Sequence, residues 1–296
     1  MTIPISTAGH ATTTLLIEPM KHTSYLLLLL LCTSVVASCT DDDGSGTGTG
    51  FPNGASAWTG TAELSGQTLE LDVALTHRSG ALEGRVSFDL LGQALAYDVV
   101  GVVDDESQQV ALVPAGWVGE SPGLTMFGVT ATYDPAAGTL RGRLREGTLW
   151  NDNVLAGGAI SLSTSARPST APDPSSATRV VDGTLTFSGT LRCQSAVRPV
   201  TLALTREPDG LLGGTMTFGE DDDTTVGTFD VVGVESATSG RLAVLPVLWD
   251  DYLAAGPPWY YSFFVDGTLD GTDYTATVYQ PDGTACLEDL FQVTAE

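Results

Sequence analysis

Acids outnumber bases three to one in this chain of 296 residues: 36 Asp and Glu stand against 12 Lys and Arg, a formal net charge of −24. Such a surface repels nucleic acid and anionic headgroups, which excludes both as partners. Only 16% of residues are charged and 42% are hydrophobic, so the chain is a foldable one with acidic loops rather than a polyacidic disordered one.

In chain order, residues 1–19 read as a leader upstream of an internal start at Met20. From there Met20-Lys21-His22 is followed by six leucines, Leu26 to Leu31, and by small residues ending in Val36-Ala37-Ser38-Cys39. A short positive region, an apolar core and a small-residue cleavage site make residues 20–38 a secretory signal. The apolar run is too short to span a bilayer, which needs about 20 residues. The tetrad Val36-Ala37-Ser38-Cys39 resembles the lipobox of bacterial lipoproteins. That resemblance implies cleavage before Cys39 and acylation of its thiol, with several chains giving stable anchoring. An ordinary signal with an incidental cysteine is the alternative. Residues 39–56, three aspartates and a Gly/Ser/Thr tract, form a flexible tether. Thr40 rather than aspartate follows the cysteine, which in that family favours the outer membrane or cell surface over the inner membrane.

Lys21 is the only lysine, so a processed chain carries its positive charge on arginines alone. Of four cysteines, Cys32 leaves with the signal and Cys39 is lipidated. Cys193 and Cys286 remain, an even pair in an oxidising compartment, and read as one disulfide.

The remainder is a duplication. Tyr97-Asp98-Val99-Val100-Gly101-Val102 recurs as Phe229-Asp230-Val231-Val232-Gly233-Val234, and Ala111, Pro114 and Trp117 match Ala243, Pro246 and Trp249 at the same offset of 132. Gly80, Gly84 and Phe88 match Gly210, Gly214 and Phe218 at 130; Ala74-Leu75-Thr76 matches Ala203-Leu204-Thr205 at 129. Small steps in offset are the mark of loop insertions. A Pro/Ser/Thr/Ala-rich linker, 164–179, separates module 1 (57–163) from module 2 (180–296).

Within each module the period is two. Leu69, Leu71, Val73 and Leu75 share one face, with Glu70, Asp72 and Thr76 on the other; Val200, Leu202 and Leu204 repeat the pattern. Alternation of this kind argues half-buried antiparallel strands. Turn signals every 8–12 residues divide each module into about eight, in the second copy near 182–193, 198–206, 211–219, 226–235, 240–248, 259–267, 273–279 and 287–294. The fold class is all-β, with two tandem antiparallel modules. Eight meandering strands close as an up-and-down barrel, and a two-sheet β-sandwich is the alternative. In strand count the layout resembles lipocalin-like or avidin-like barrels, although the Gly-X-Trp usual in lipocalins is absent; Trp58 stands there without the glycine.

Catalytic signals are few. His77 is the one histidine beyond the signal; it sits in the turn Thr76-His77-Arg78-Ser79-Gly80-Ala81-Leu82, where the second copy has Arg206, and reads as an exposed turn residue rather than a base. Carboxylates are plentiful, but nothing singles out a hydrolytic pair. No glycine-rich loop leads into a helix to cradle phosphate. Glu220, Asp221, Asp222 and Asp223 could hold structural calcium, but they lack the spaced order of a calcium loop and read better as solvated acids. No other cofactor is implied.

Strand parity places one further cluster. Loops after strands one, three, five and seven emerge at one rim, together with the two cysteines. In module 2 that rim carries Glu220 to Asp223, then Trp249, Asp250 and Asp251, then Trp259 and Tyr260; module 1 holds only Asp89, Trp117 and Glu120 there. Aromatic rings beside carboxylates suit sugars or cationic groups. Trp117 and Trp249 read either as plugs closing the barrel end or as binding platforms. The reading is therefore a membrane-anchored extracytoplasmic lipoprotein that is not an enzyme. It binds an unknown protein or glycan at its surface, or carries a small ligand inside a barrel.

Overall fold

In the computed structural model the described residues are 48–64, 66–146, 158–170, 179–193, 196–219, 227–251, 263–281 and 290–296, and among them every regular element is a strand. The first four are β1 (Gly54–Leu64), β2 (Gln67–Arg78), β3 (Ala81–Leu90) and β4 (Gln93–Asp104). Next come β5 (Gln109–Trp117), β6 (Phe127–Asp134), β7 (Thr139–Glu146) and β8 (Ala159–Ser163). The second copy has β9 (Thr184–Cys193), β10 (Ala196–Arg206), β11 (Leu212–Phe218) and β12 (Gly227–Ser236). It ends with β13 (Arg241–Asp251), β14 (Phe264–Asp270), β15 (Asp273–Tyr279) and β16 (Leu290–Ala295).

Each set of eight forms a closed up-and-down barrel in which every strand pairs antiparallel with its sequence neighbour. Closure comes from β1 on β8, Gly60 opposite Leu162, and from β16 on β9, Val293 opposite Gly189. With both edges paired, neither sheet leaves an open ladder, which the sandwich alternative would have done. The period of two is obeyed: Leu69, Leu71, Val73 and Leu75 are buried while Glu70 and Asp72 are exposed. All eight expected strands of the second copy are present, the sixth shifted to begin at Phe264. The duplication extends to irregularities. Pro114 and Pro246 each adjoin a bulge in their own strand, at Ala115 opposite the Asp98–Val99 step and at Val247 opposite the Asp230–Val231 step, as expected where proline withholds a ladder donor.

Both interiors are filled. In barrel 1 Trp58 and Phe51 stack at one end, while Tyr97, Phe88 and Phe127 meet edge to face or tilted at the other. Tyr97 donates its hydroxyl to the Phe127 carbonyl. In barrel 2 Tyr274 lies between Phe187 and Phe291 and donates to the Leu242 carbonyl.

A third core lies between the barrels. Val102, Ala111 and Val113 of barrel 1 are buried with Val232, Val234, Ala243, Leu245 and Phe264 of barrel 2, and Val100 packs against them. These residues pair off at the repeat offset of 132: Val100 with Val232, Val102 with Val234, Ala111 with Ala243, Val113 with Leu245. The same surface from each copy is used, so the contact is isologous, as in a twofold dimer. The turns follow suit. A Cβ at Gly80 would strike Ser236 and Ser239 of the other barrel, and one at Gly210 would strike Ser107. Strands buried on both faces cannot alternate, and so β4 and β12 carry the near-continuous apolar runs Val99–Val103 and Val231–Val234.

One pair breaks the symmetry. Register equates Val129 with Val265, since they pair with Leu112 and Val244; Gly128 therefore stands where the second copy has Phe264. A Cβ on Gly128 would come within 2.9 Å of both the Phe264 ring and the Leu112 carbonyl oxygen, and within 2.6 Å of Leu245. The glycine makes room for the phenylalanine. Gly128→Leu should therefore overpack this core and cost about 1–3 kcal/mol in urea unfolding. An unchanged unfolding midpoint would show that the barrels do not bear on each other there.

Candidate functional site

Pairing direction sorts each barrel into two ends. The rim end carries the ends of β1, β3, β5 and β7 in barrel 1, and of β9, β11, β13 and β15 in barrel 2. The opposite end receives the chain: residues 48–53 lead into β1, and 179–183 into β9. The touching turns after β2, β4, β10 and β12 all belong to this entry end. Both barrels therefore have their entry ends on one side and their rims on the other. At the rim side the Met126 amide donates to the Pro281 carbonyl across the interface.

The expected rim residues are placed as follows. Trp117 ends β5 opposite Tyr97, half-buried and edge-on to that ring at 5.6 Å. It packs on the core, which is the plug arrangement, and its indole N–H is buried without a partner among the described residues. Trp249 holds the same register position opposite Phe229 in β13, and Asp251 pairs with Thr228, leaving Asp250 between them as a bulge. Glu220, Asp221, Asp222, Asp223, Trp259 and Tyr260 lie outside the described residues, as do Cys39 and Cys286. Cys193 is the last residue of β9, beside β16 as closure requires.

The rim of barrel 1 has a feature that the sequence reading passed over. Leu91 is 92% exposed at the tip of the β3–β4 turn, with φ of 54° followed by 80° at Gly92. A two-residue hairpin turn demands positive φ at both places, and leucine adopts it only under strain. Val118 and Leu124 add further exposed apolar surface in the loop after β5. Asp89 is exposed and accepts from the Gly92 amide, and Glu120 is exposed. Leu90-Leu91-Gly92 was the available signal: two leucines at a turn where only one can point inward.

At the entry end the charges are buried. His77 corrects the expectation of an exposed turn residue: only 3% exposed, it continues the inward series 69, 71, 73, 75 because β2 runs on to Arg78. Its Nε2 accepts from the Gly80 amide at 2.9 Å. Burial holds its pKa below the usual histidine value against the pull of Asp105. Burial likewise raises Asp105, opposed by His77 and by the Phe51 backbone. In barrel 2 the repeat places Arg206 where His77 stands. Arg206 pairs with the buried Glu235, donates from Nε to the Val181 carbonyl at 2.8 Å and from Nη1 to the Gly210 carbonyl at 3.0 Å. Between the barrels Arg179 clamps Asp104 at 2.9 Å and Glu106 at 2.7 Å, fixing the end of the linker to barrel 1.

Asp266 lies on the outer face of β14, two residues beyond Phe264, yet is 3% exposed. Arg241 donates to its Oδ2, while Oδ1 has no partner. Burial outweighs the arginine and pushes the carboxyl up to about 6. A carboxyl raised above its unfolded value of 3.8 stabilises the fold while protonated, and that contribution is lost as pH rises through about 6. The stability of the parent relative to Asp266→Asn should therefore fall by about 3 kcal/mol between about pH 3.5 and pH 7. Parallel pH profiles in urea would contradict the burial.

Among the described residues no group of three or more His, Cys, Asp or Glu is placed to hold a metal ion. No protein-family model matches the chain, and no curated protein matches it.

Proposed function

We propose that this chain is a lipid-anchored lipoprotein of the cell envelope, fixed through Cys39, whose two barrels form one non-catalytic binding module for a protein or a glycan. The observation that carries the reading is directional: the chain enters both barrels on one side, and both rims lie on the other. A module anchored through Cys39 and entered at residues 48–53 thus offers its rims to the surroundings. Barrel 1 contributes the exposed Leu91, Val118 and Leu124. Barrel 2 contributes the rim end of β13 with Trp249, Asp250 and Asp251; Glu220 to Asp223, Trp259 and Tyr260, which strand parity assigns to the same rim, belong to the proposed surface. Interiors occupied by Trp58, Tyr97, Phe187 and Tyr274 favour surface binding over small-ligand carriage. The acidic surface fits the exclusion of nucleic acid.

The same reading joins Cys193 to Cys286, since β9 and β16 are neighbours; the bond closes a loop of about 93 residues and contributes about 4–5 kcal/mol in the chain-entropy account. Mass spectrometry of the protein from membranes tests both modifications together. It should find an acylated N-terminal Cys39 and a linked Cys193–Cys286 peptide; an unmodified Cys39 overturns the anchor, and two free thiols overturn the bond. For the rim, Trp249→Ala should keep the fold and weaken glycan or cell-surface binding about tenfold or more. Unaltered binding would remove the aromatic rim from the account.

A further inference from the structure

The two entry ends are sealed in the same way but finished differently. In barrel 2 the plug is Val181, fully buried, and its surroundings are complete. Glu235 accepts from the Val180 amide at 2.6 Å and the Val181 amide at 3.3 Å, and Arg206 binds the Val181 carbonyl. In barrel 1 the plug is Phe51, also fully buried. Its ring stacks on Trp58 at 5.3 Å and meets Tyr133 at 5.1 Å and His77 at 5.5 Å edge to face. Beside Phe51 four buried polar atoms lack a well-formed hydrogen bond among the described residues: His77 Nδ1, both carboxylate oxygens of Asp105, and the Tyr133 hydroxyl; backbone groups bear on the first two side chains only from Phe51 and Pro52. The three residues are 3%, 8% and 1% exposed. Since His77 Nε2 accepts from Gly80, the proton of the neutral ring is on Nδ1, a donor approached only by the backbone of Pro52 and Phe51.

Buried polar groups are satisfied as a rule, and a cluster of exceptions around one removable side chain needs a cause. Phe51 is removable. It belongs to no strand; the strap is tied to the rest by the Gly50–Ser169 backbone pair and by the Ser169 hydroxyl on the Phe51 carbonyl. Its departure would break no rung of the barrel.

We propose that the entry end of barrel 1 is a binding site for an aromatic amine, with Phe51 as a built-in stand-in occupant. Trp58 and Tyr133 supply walls for a flat ring, and Asp105 supplies the counter-charge for an ammonium group beside it. Phe51 meets the first requirement but offers the carboxylate only a backbone amide. A free aromatic amine meets both, and leaves His77 Nδ1–H and the Tyr133 hydroxyl for a further polar substituent. Barrel 2, with Val181 and a satisfied Glu235, has no such site. The inference is independent of the lipid anchor and of the rims.

The probe is phenethylamine, with 2-phenylethanol as its neutral counterpart, titrated calorimetrically into the full chain and into Phe51→Ala. Phe51→Ala should bind phenethylamine about tenfold or more tightly than the parent does, because the competing ring is gone. Adding Asp105→Asn should cost about tenfold for the amine and leave the alcohol within about twofold. Equal binding of amine and alcohol, indifferent to Asp105→Asn, would mark a plain apolar hole and overturn the proposal, as would no binding by a folded Phe51→Ala. Hydrogen exchange in the parent decides the matter even if that variant does not fold. Saturating phenethylamine should speed exchange of the Gly50 and Phe51 amides about tenfold as the strap is displaced, and unchanged exchange overturns the proposal.

Discussion

The structure depends on one self-complementary surface, the outer face of β4 and β5 packed on its own repeat, β12 and β13. Val100, Val102, Ala111 and Val113 meet Val232, Val234, Ala243 and Leu245. Because each surface is the other's copy, the orientation is dictated: entry turns meet entry turns, and rims fall on the same side. A tandem repeat of closed barrels has no sheet edge by which to join its copies. Apolar residues on the outside of the barrel are the remaining means, and they make two domains behave as one body.

Sequence reading was strongest where one face of a strand is wet. There the period of two is clean in Leu69 to Leu75 and its counterpart, and with the turn spacing it marked eight strands per copy, while barrel closure was weighed against a sandwich. It weakened where both faces are dry. The run Val99–Val102 was read only as part of the repeat motif Tyr97–Val102, while its physical meaning, burial on the outside as well, went unused. His77 was misplaced for a related reason. The turn Ser79-Gly80 drew it outward, although its parity with Leu75 put it inside. Leu91 escaped notice although Leu90-Leu91-Gly92 hinted at it; the left-handed backbone that turns its side chain outward shows only in φ. The rim of barrel 2 was named by parity alone, and only Trp249, Asp250 and Asp251 of that set fall in a described strand.

Where the copies differ, the differences concentrate at places under a shared constraint. Gly128 and Phe264 divide between them the space for one ring at the interface. His77 and Arg206 occupy one position beside two plugs; the arginine pairs with Glu235, which the Val180 and Val181 amides also serve, and its other donors reach the Val181 and Gly210 carbonyls. Thr130 and Asp266 also correspond. Thr130 accepts from Arg145, whereas Asp266 must be held by Arg241 at the cost of an unpartnered oxygen. Barrel fold and packing surface are thus common to both halves, while polar detail beneath the plugs and beside the interface has diverged.

The interface of the repeated surface, rather than the linker, keeps the barrels together. A protease site placed within 171–178 of the full chain, cut under native conditions, tests this directly. The two halves should co-elute at the size of the intact protein at micromolar concentration and separate only in denaturant. Elution of the halves as two smaller species without denaturant would contradict the claim that the repeated surface joins them.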